Sequence, residues 1–331
     1  MGKAIVVNNL SKQFRLKKAN PGLIPLVKSI FNTNYETITA LDNLSFSINK
    51  GEKVAFLGPN GAGKSTAIKI LSGILHPTKG EVEVNGLIPW KKRRELSYKI
   101  GIIFGQRSQL WPQLPSMDTY KLLSKIYNIP QQAFNKRIAE IVRVLDIKKI
   151  INTPVRQLSL GQRMRCEIGA TLLHNPSILF LDEPTIGMDI SSKVAIRDHL
   201  NALSREYGTT IFLTSHDVGD IENICERVII LDEGKKIIDQ QINALKDRFF
   251  KLKRINLKTT QEFKIIKMEG VKIINNTPYS TLLEVDSNIC SLGEIISHIL
   301  STYKVYDISI SNPPLEKIIG GIFSGIKKKD A

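Results

Sequence analysis

The feature that most constrains this chain is the stretch Lys53-Val-Ala-Phe-Leu-Gly-Pro-Asn-Gly-Ala-Gly-Lys-Ser-Thr66. Residues 54–57 are apolar and read as a buried strand. Gly58, Pro59, Asn60, Gly61, Ala62 and Gly63 make a glycine-rich turn, and Lys64, Ser65 and Thr66 open a helix. Strand, turn and helix in this order give the G-x-x-x-x-G-K-[ST] pattern the context that its chemistry requires. Glycines let successive backbone N–H groups face inward around a phosphate, and the positive end of the following helix adds to the attraction. Lys64 is placed to reach β- and γ-phosphates, and the Ser65 hydroxyl to bind Mg²⁺. The spacing therefore predicts a nucleoside triphosphate site on an α/β fold. It leaves open which class of nucleotide enzyme carries it.

A chain of 331 residues predicts two domains, one larger than the other. No apolar run approaches the roughly 20 residues of a spanning helix. Met1-Gly-Lys-Ala-Ile-Val-Val7 lacks a signal-peptide layout, and without Ser or Thr at position 6, myristoylation at Gly2 is not expected. Cys166, Cys225 and Cys290 are isolated and odd in number, which suits a reducing compartment and argues against a disulfide or zinc framework. The net charge of +16, from 47 basic and 31 acidic residues, favours an anionic partner such as nucleic acid or an acidic membrane face. Dispersed lysines on solvated faces account for it equally well.

Along the chain, residues 5–10 read as a strand and residues 16–39 as an insertion. Within the insertion Leu23, Ile24, Leu26, Val27, Ile30 and Phe31 recur at helical spacing. Such a basic amphipathic helix could lie on a membrane, on a partner or on its own domain. Strand character resumes over 40–49, 81–84 and 100–104, with Asn85-Gly86 as a turn and Lys91-Lys-Arg-Arg94 as a basic cluster. Residues 117–151 are helical in pattern, predicting a helical subdomain over about 107–160. Then follow a helix at 162–173, a strand at 178–181, a helix at 191–207 capped by Ser191, a strand at 210–213 and a closing hairpin over 228–238. Buried strands alternating with helices give an α/β domain over residues 1–245. Beyond it, strands at 254–259, 271–275, 281–285 and 305–309 with helices at 261–268 and 292–303 follow the βαββαβ order of ferredoxin-like α+β modules. No catalytic residue types cluster there, so residues 250–331 are expected to be an accessory or regulatory domain.

Two further constellations complete the pattern. In Ile178-Leu-Phe-Leu-Asp182-Glu183, an apolar strand ends in paired carboxylates, one suited to hold Mg²⁺ and the next to polarise a water. Leu158-Ser-Leu-Gly-Gln162 opens a helix, a natural anion site, although most such helix tips bind nothing.

The glycine loop, LSLGQ, LFLDEP and Thr214-Ser-His216, in that order, resemble the nucleotide-binding domain of an ABC transporter over residues 4–240. The resemblance implies a P-loop NTPase fold with a helical subdomain, an ATPase using ATP and Mg²⁺, and location on the cytoplasmic membrane face beside a membrane-spanning permease. Gly58 to Thr66 resembles Walker A, and Asp182 with Glu183 the end of Walker B. Gln106 resembles the Q-loop glutamine, a Mg²⁺ contact with Ser65 and Asp182. Ser159, Gly161 and Gln162 resemble the signature motif, which in the family meets the γ-phosphate held by the opposite subunit of a homodimer or of a pair with a related ATPase. Asp189 resembles the D-loop aspartate, His216 the switch histidine, and Phe14 the adenine-stacking aromatic. Glu183, His216 and Lys64 are the implied catalytic residues. Leu160 stands where the family has glycine, and Phe14 where tyrosine is commoner; stacking needs only a π-face.

Gly105-Gln-Arg-Ser-Gln-Leu-Trp111, Arg165-Cys166 and the C-terminal extension resemble an export subgroup close to drug- and bacteriocin-resistance ATPases. Residues 21–31 lie where polysaccharide and teichoic-acid exporters carry a gate helix. Import is a second reading. A soluble ABC ATPase on ribosomes or nucleic acid is a third, disfavoured by the single cassette and by basic clusters that lack interleaved aromatics. No nucleic-acid partner is expected.

Overall fold

The strand that feeds the glycine loop, β3 (Lys53–Leu57), is buried over its last four residues. In the computed structural model it lies between two parallel neighbours, β7 (Thr210–Thr214) and β8 (Arg227–Asp232). The structure describes residues 2–17, 35–104, 108–215, 217–249, 252–259, 269–311 and 318–322. With β5 (Ile100–Phe104), β6 (Ile178–Asp182) and β9 (Lys235–Gln241), these strands form a six-stranded sheet in the order β5-β6-β7-β3-β8-β9. The carboxyl ends of β3 and β6 thus rise on the same side, separated by β7 alone. Val54, Phe56, Phe180 and Phe212 carry no exposed surface, and Phe56 and Phe212 pack with ring centroids 4.9 Å apart. Burial on both faces explains why these strands read as continuous apolar runs rather than alternating ones.

A second sheet, in the order β2-β1-β4, is antiparallel and is built from β1 (Lys3–Lys17), β2 (Tyr35–Asn49) and β4 (Lys79–Val84). Here the expected boundaries change. Both long strands extend beyond residues 10 and 40, and pairing continues through Phe14↔Ile38 to Lys17↔Tyr35. The ends of the expected insertion are therefore paired strand, in which alternate residues exchange backbone hydrogen bonds across the ladder. The amphipathic helix expected within residues 21–31 lies outside the described residues.

The helices are α1 (Lys64–Leu71), α2 (Arg93–Ser97), α3 (Ser116–Ile126), α4 (Gln131–Val144), α5 (Leu160–Leu172), α6 (Ile190–Tyr207) and α7 (Val218–Ile224). Helix α5 is buried throughout from Cys166 to Leu172, and its cap is Ser159, whose hydroxyl accepts from the Gln162 N–H while the Gln162 side chain accepts from the Ser159 N–H. The cap of α6 is Asp189, not Ser191. Asp189 Oδ1 accepts the Ser192 N–H at 2.9 Å, and the Ser191 hydroxyl donates to the same carboxylate at 2.5 Å. An aspartate is the stronger acceptor at this position, so the helix begins one residue earlier. Among the described residues, no helix is long and apolar enough to cross a membrane.

The chain divides into compact units over Met1–Gln240 and Gln241–Ala331. The second holds α8 (Ile242–Phe249) and an antiparallel sheet in the order β11-β12-β10-β13, formed by β10 (Leu252–Thr259), β11 (Val271–Thr277), β12 (Ser280–Asp286) and β13 (Val305–Ser311). Ile255, Leu257, Leu283 and Val285 on this sheet pack with Ile295 and Ile299 of α9 (Leu292–Thr302) into a separate core. The helix expected over 261–268 lies outside the described residues.

Candidate active site

Between β3 and α1 the chain turns through Gly61 at φ +87° and Gly63 at φ +98°, conformations that glycine adopts without steric cost. Space is as restrictive as conformation at Gly63. A Cβ there would stand 2.3 Å from the Ala40 carbonyl oxygen and 2.6 Å from Leu41 Cδ2. The turn is thus pressed against β2, and its polar face opens into a cleft of about 710 Å³. Asn60, Gly61, Gly63, Lys64, Ser65 and Thr66 line one side, Asp182 and Glu183 the other, with Ala40, Ile74, Phe104 and Ile186 among the apolar wall.

Lys64 is 8% exposed and donates to the carbonyls of Gly58 at 2.6 Å and Pro59 at 3.1 Å. Burial lowers its ammonium below the ordinary lysine value, while the carboxylates of Glu183 and then Asp182 pull the other way. A phosphate arriving in the cleft would exchange these two carbonyl bonds for stronger charge-assisted ones. Opposite, Asp182 Oδ2 accepts the Ser65 hydroxyl at 3.1 Å and Oδ1 accepts the Thr214 hydroxyl at 2.6 Å. Thr214, at the end of the neighbouring strand, also holds Glu183, whose N–H donates to the Thr214 carbonyl at 3.0 Å and hydroxyl at 3.2 Å. Glu183 sits at φ +55°, a left-handed conformation costing a non-glycine residue of order 1 kcal/mol. From that position Glu183 lines the cleft next to Asp182.

Ser65 and Asp182 meet as hard oxygen donors beside a phosphate-shaped turn, the donor set Mg²⁺ takes together with substrate phosphates. The residues fit that ion. Gln106 and His216 lie outside the described residues. On either side of His216, however, the chain is pinned. The Ser215 hydroxyl donates to the fully buried Asp220 at 2.8 Å, Asp220 takes Arg197 Nε at 2.7 Å, and Arg197 Nη2 reaches Asp217 at 3.2 Å.

Other residues singled out in the sequence do not enter this cleft. Ser159, Gly161 and Gln162 stand at the tip of α5, where a Cβ on Gly161 would meet Ser192 Oγ at 2.5 Å. Asp189 caps the adjoining α6, and hydrogen bonds from the Ser191 and Ser192 hydroxyls and the Ser192 amide hold its carboxyl well below the usual range. Phe14 lies on β1 opposite Ile38 with the Lys12 ammonium 5.0 Å from its ring centroid, and it is not among the residues lining the cleft. Several contributors went unnoticed in the sequence, among them Thr214, signalled only by its place at a strand end two residues before His216, and Ala40, whose carbonyl leaves no local signal at all.

Comparison with known proteins agrees with this geometry. Residues 41–186 match the family model described as ABC transporter. The chain is 28% identical over 292 residues to the linearmycin resistance ATP-binding protein LnrL of Bacillus subtilis (strain 168), covering 86% of this chain and 93% of that protein. It is 30% identical over 300 residues to the methionine import ATP-binding protein MetN 2 of Enterococcus faecalis (strain ATCC 700802 / V583), covering 86% and 84%. Among solved structures, a dimeric post-hydrolysis ATP-binding cassette bound to ADP and Pi superposes with a TM-score of 0.58 at 28% identity, over 72% of this chain and 98% of that one.

Proposed function

Because the chain belongs to the ABC transporter ATP-binding proteins, and is accordingly an ATP-binding, ATP-hydrolysing transporter subunit, we propose that it powers an exporter. The observation that carries export is that the likeness spans 93% of the linearmycin resistance protein, against 84% of the methionine import protein. In this reading the motor works at the cytoplasmic face of the membrane beside a separate permease. Residues 250–331 serve it as an accessory, regulatory domain.

Lys64 and the backbone N–H groups of the loop bind the β- and γ-phosphates, and Phe14, paired with Ile38 two residues from the Ala40 that meets the loop, stacks on adenine at the cleft's edge. Ser65, Asp182 and Gln106 would hold Mg²⁺, which when bound neutralises developing charge on the phosphate oxygens. Glu183 accepts a proton from the attacking water and orients it, while His216 donates to the γ-phosphate. Since Ser159, Gly161, Gln162 and Asp189 stand outside their own cleft, they act on the ATP held by a second ATPase subunit placed head to tail. ATP then joins the pair and hydrolysis releases it, and the helical subdomain over about 107–160 passes that motion to the permease.

Import is the competing reading, favoured by the 30% identity to a methionine importer. Replacing the chromosomal copy with Glu183→Gln distinguishes them. Export predicts hypersensitivity to an amphipathic antibiotic with unchanged uptake of labelled methionine. Lost uptake with unaltered resistance overturns it.

A further inference from the structure

Helix α5 begins at the LSLGQ motif and, two turns further on, buries a carboxylate that the hydrolytic scheme does not use. Glu167 is 3% exposed, and Cys166, Ile168, Gly169 and Ala170 beside it are buried too. One carboxylate oxygen accepts the Ser108 hydroxyl, and the other accepts the Gln109 N–H at 3.1 Å. Ser108 Oγ also accepts the Leu110 N–H at 3.1 Å, and the Gln109 side chain donates back to the Ile102 carbonyl on β5 at 3.1 Å. Burial pushes the Glu167 carboxyl up, and the bonds from Ser108, Gln109 and Leu110 oppose that push. A buried acid is costly unless donors meet it, and a small apolar side chain would serve this helix face if packing were the only requirement. Among the described residues, the donors that oppose its burial by a hydrogen bond are Ser108, Gln109 and Leu110, a short segment that starts two residues after Gln106 in the sequence.

We propose that Glu167 is a positioning residue that fastens the segment following Gln106 to the helix tipped by Ser159, making the two move as one body. The inference rests on the roles proposed above for Gln106 at Mg²⁺ and for Ser159 at the γ-phosphate held by the other subunit. It adds a physical link between them inside one subunit: a shift of the helix tip, driven from the neighbouring subunit, is carried through Glu167 to the loop that touches Mg²⁺. Packing alone would give no such directional coupling.

The test uses the full chain with Glu167→Ala, Glu167→Gln, Ser108→Ala and the Ser108→Ala/Glu167→Ala pair. Glu167→Ala is expected to lower kcat about 10-fold with KM for ATP within about twofold, since the glycine loop is untouched. Glu167→Gln, which fills the same space and still accepts from Ser108, recovers most of that loss. The double variant is no slower than Glu167→Ala, because both changes cut one connection. By NMR, exchange of the Gln109 and Leu110 amides rises at least about 10-fold in Glu167→Ala without nucleotide. Wild-type kcat in folded Glu167→Ala, or losses that multiply in the double variant, overturns the proposal. Should Glu167→Ala fail to fold, an unchanged kcat in Ser108→Ala overturns it equally. A wild-type chain without any ATP turnover would instead sink the catalytic reading on which it stands.

Discussion

Replacing Gly161 by alanine separates two reasons for a glycine in LSLGQ: close approach of a phosphate, or close approach of the neighbouring helix. A Cβ at Gly161 would stand 2.5 Å from Ser192 Oγ and 2.7 Å from Ser192 Cβ. The hydroxyl can rotate away, but the Cβ cannot, so the start of α5 must shift. The backbone there is ordinary helix, and alanine by itself contributes up to about 1 kcal/mol in its favour. Overpacking of this kind costs about 1–3 kcal/mol, leaving a net loss of about 0–2 kcal/mol. The fall in Tm is therefore between nothing and about 8 °C for a unit of this size, and the protein stays folded at assay temperature. The displacement, however, falls on Ser159 and Gln162, and a misplacement of about 1 Å at a reacting group costs about 10²-fold in rate. Steady-state ATPase assays on Gly161→Ala should show that loss. Adding Ser192→Gly removes both clashing atoms while keeping the Ser192 N–H that Asp189 accepts at 2.9 Å. If helix packing demands the glycine, the double variant returns to within about fivefold of Ser192→Gly alone. A double variant as slow as Gly161→Ala refutes the packing argument and leaves approach of the phosphate as the reason.

Three other expectations follow from the same geometry. Glu183→Gln should lower turnover by about 10²–10⁴-fold with ATP still bound, as loss of a general base does; a wild-type rate would remove Glu183 from that role. Thr214→Val keeps shape but removes the 2.6 Å bond to Asp182, worth about 1.5–3 kcal/mol for a charged acceptor, so half-maximal activity should need about 10- to 100-fold more Mg²⁺. An unchanged Mg²⁺ dependence would show that Thr214 does not shape the site. Burial, more than the nearby Arg137 charge, lowers the His174 imidazole from 6.5, while its Nε2 meets the Ile100 carbonyl at 2.8 Å and its ring stacks on Tyr127 at 4.2 Å. The unfolded chain takes up the proton first, so this contribution is complete above 6.5 and is lost as pH falls below it toward the folded value. Urea midpoints should decline over that range, less steeply in His174→Gln, and equal slopes would rule out His174 as a source.

By itself the sequence determined the elements whose signals are local. The glycine loop was legible because the positive φ at Gly61 and Gly63 and the helix beginning at Lys64 are properties of adjacent residues. The buried strands ending in Leu57, Asp182 and Thr214 were legible because parallel strands covered on both faces are continuously apolar. Tertiary structure decided what depends on residues distant in the chain. Asp182 and Ser65 are 117 positions apart, and only the sheet order brings them to 3.1 Å. Asp189 displaced Ser191 as a cap because the carboxylate is the better acceptor once both side chains share one turn. Gly161 against Ser192, and Glu167 against Ser108, are contacts between helices or loops whose spacing encodes neither partner. Local spacing fixes backbone conformation, whereas who meets whom across the core is settled only when the chain packs.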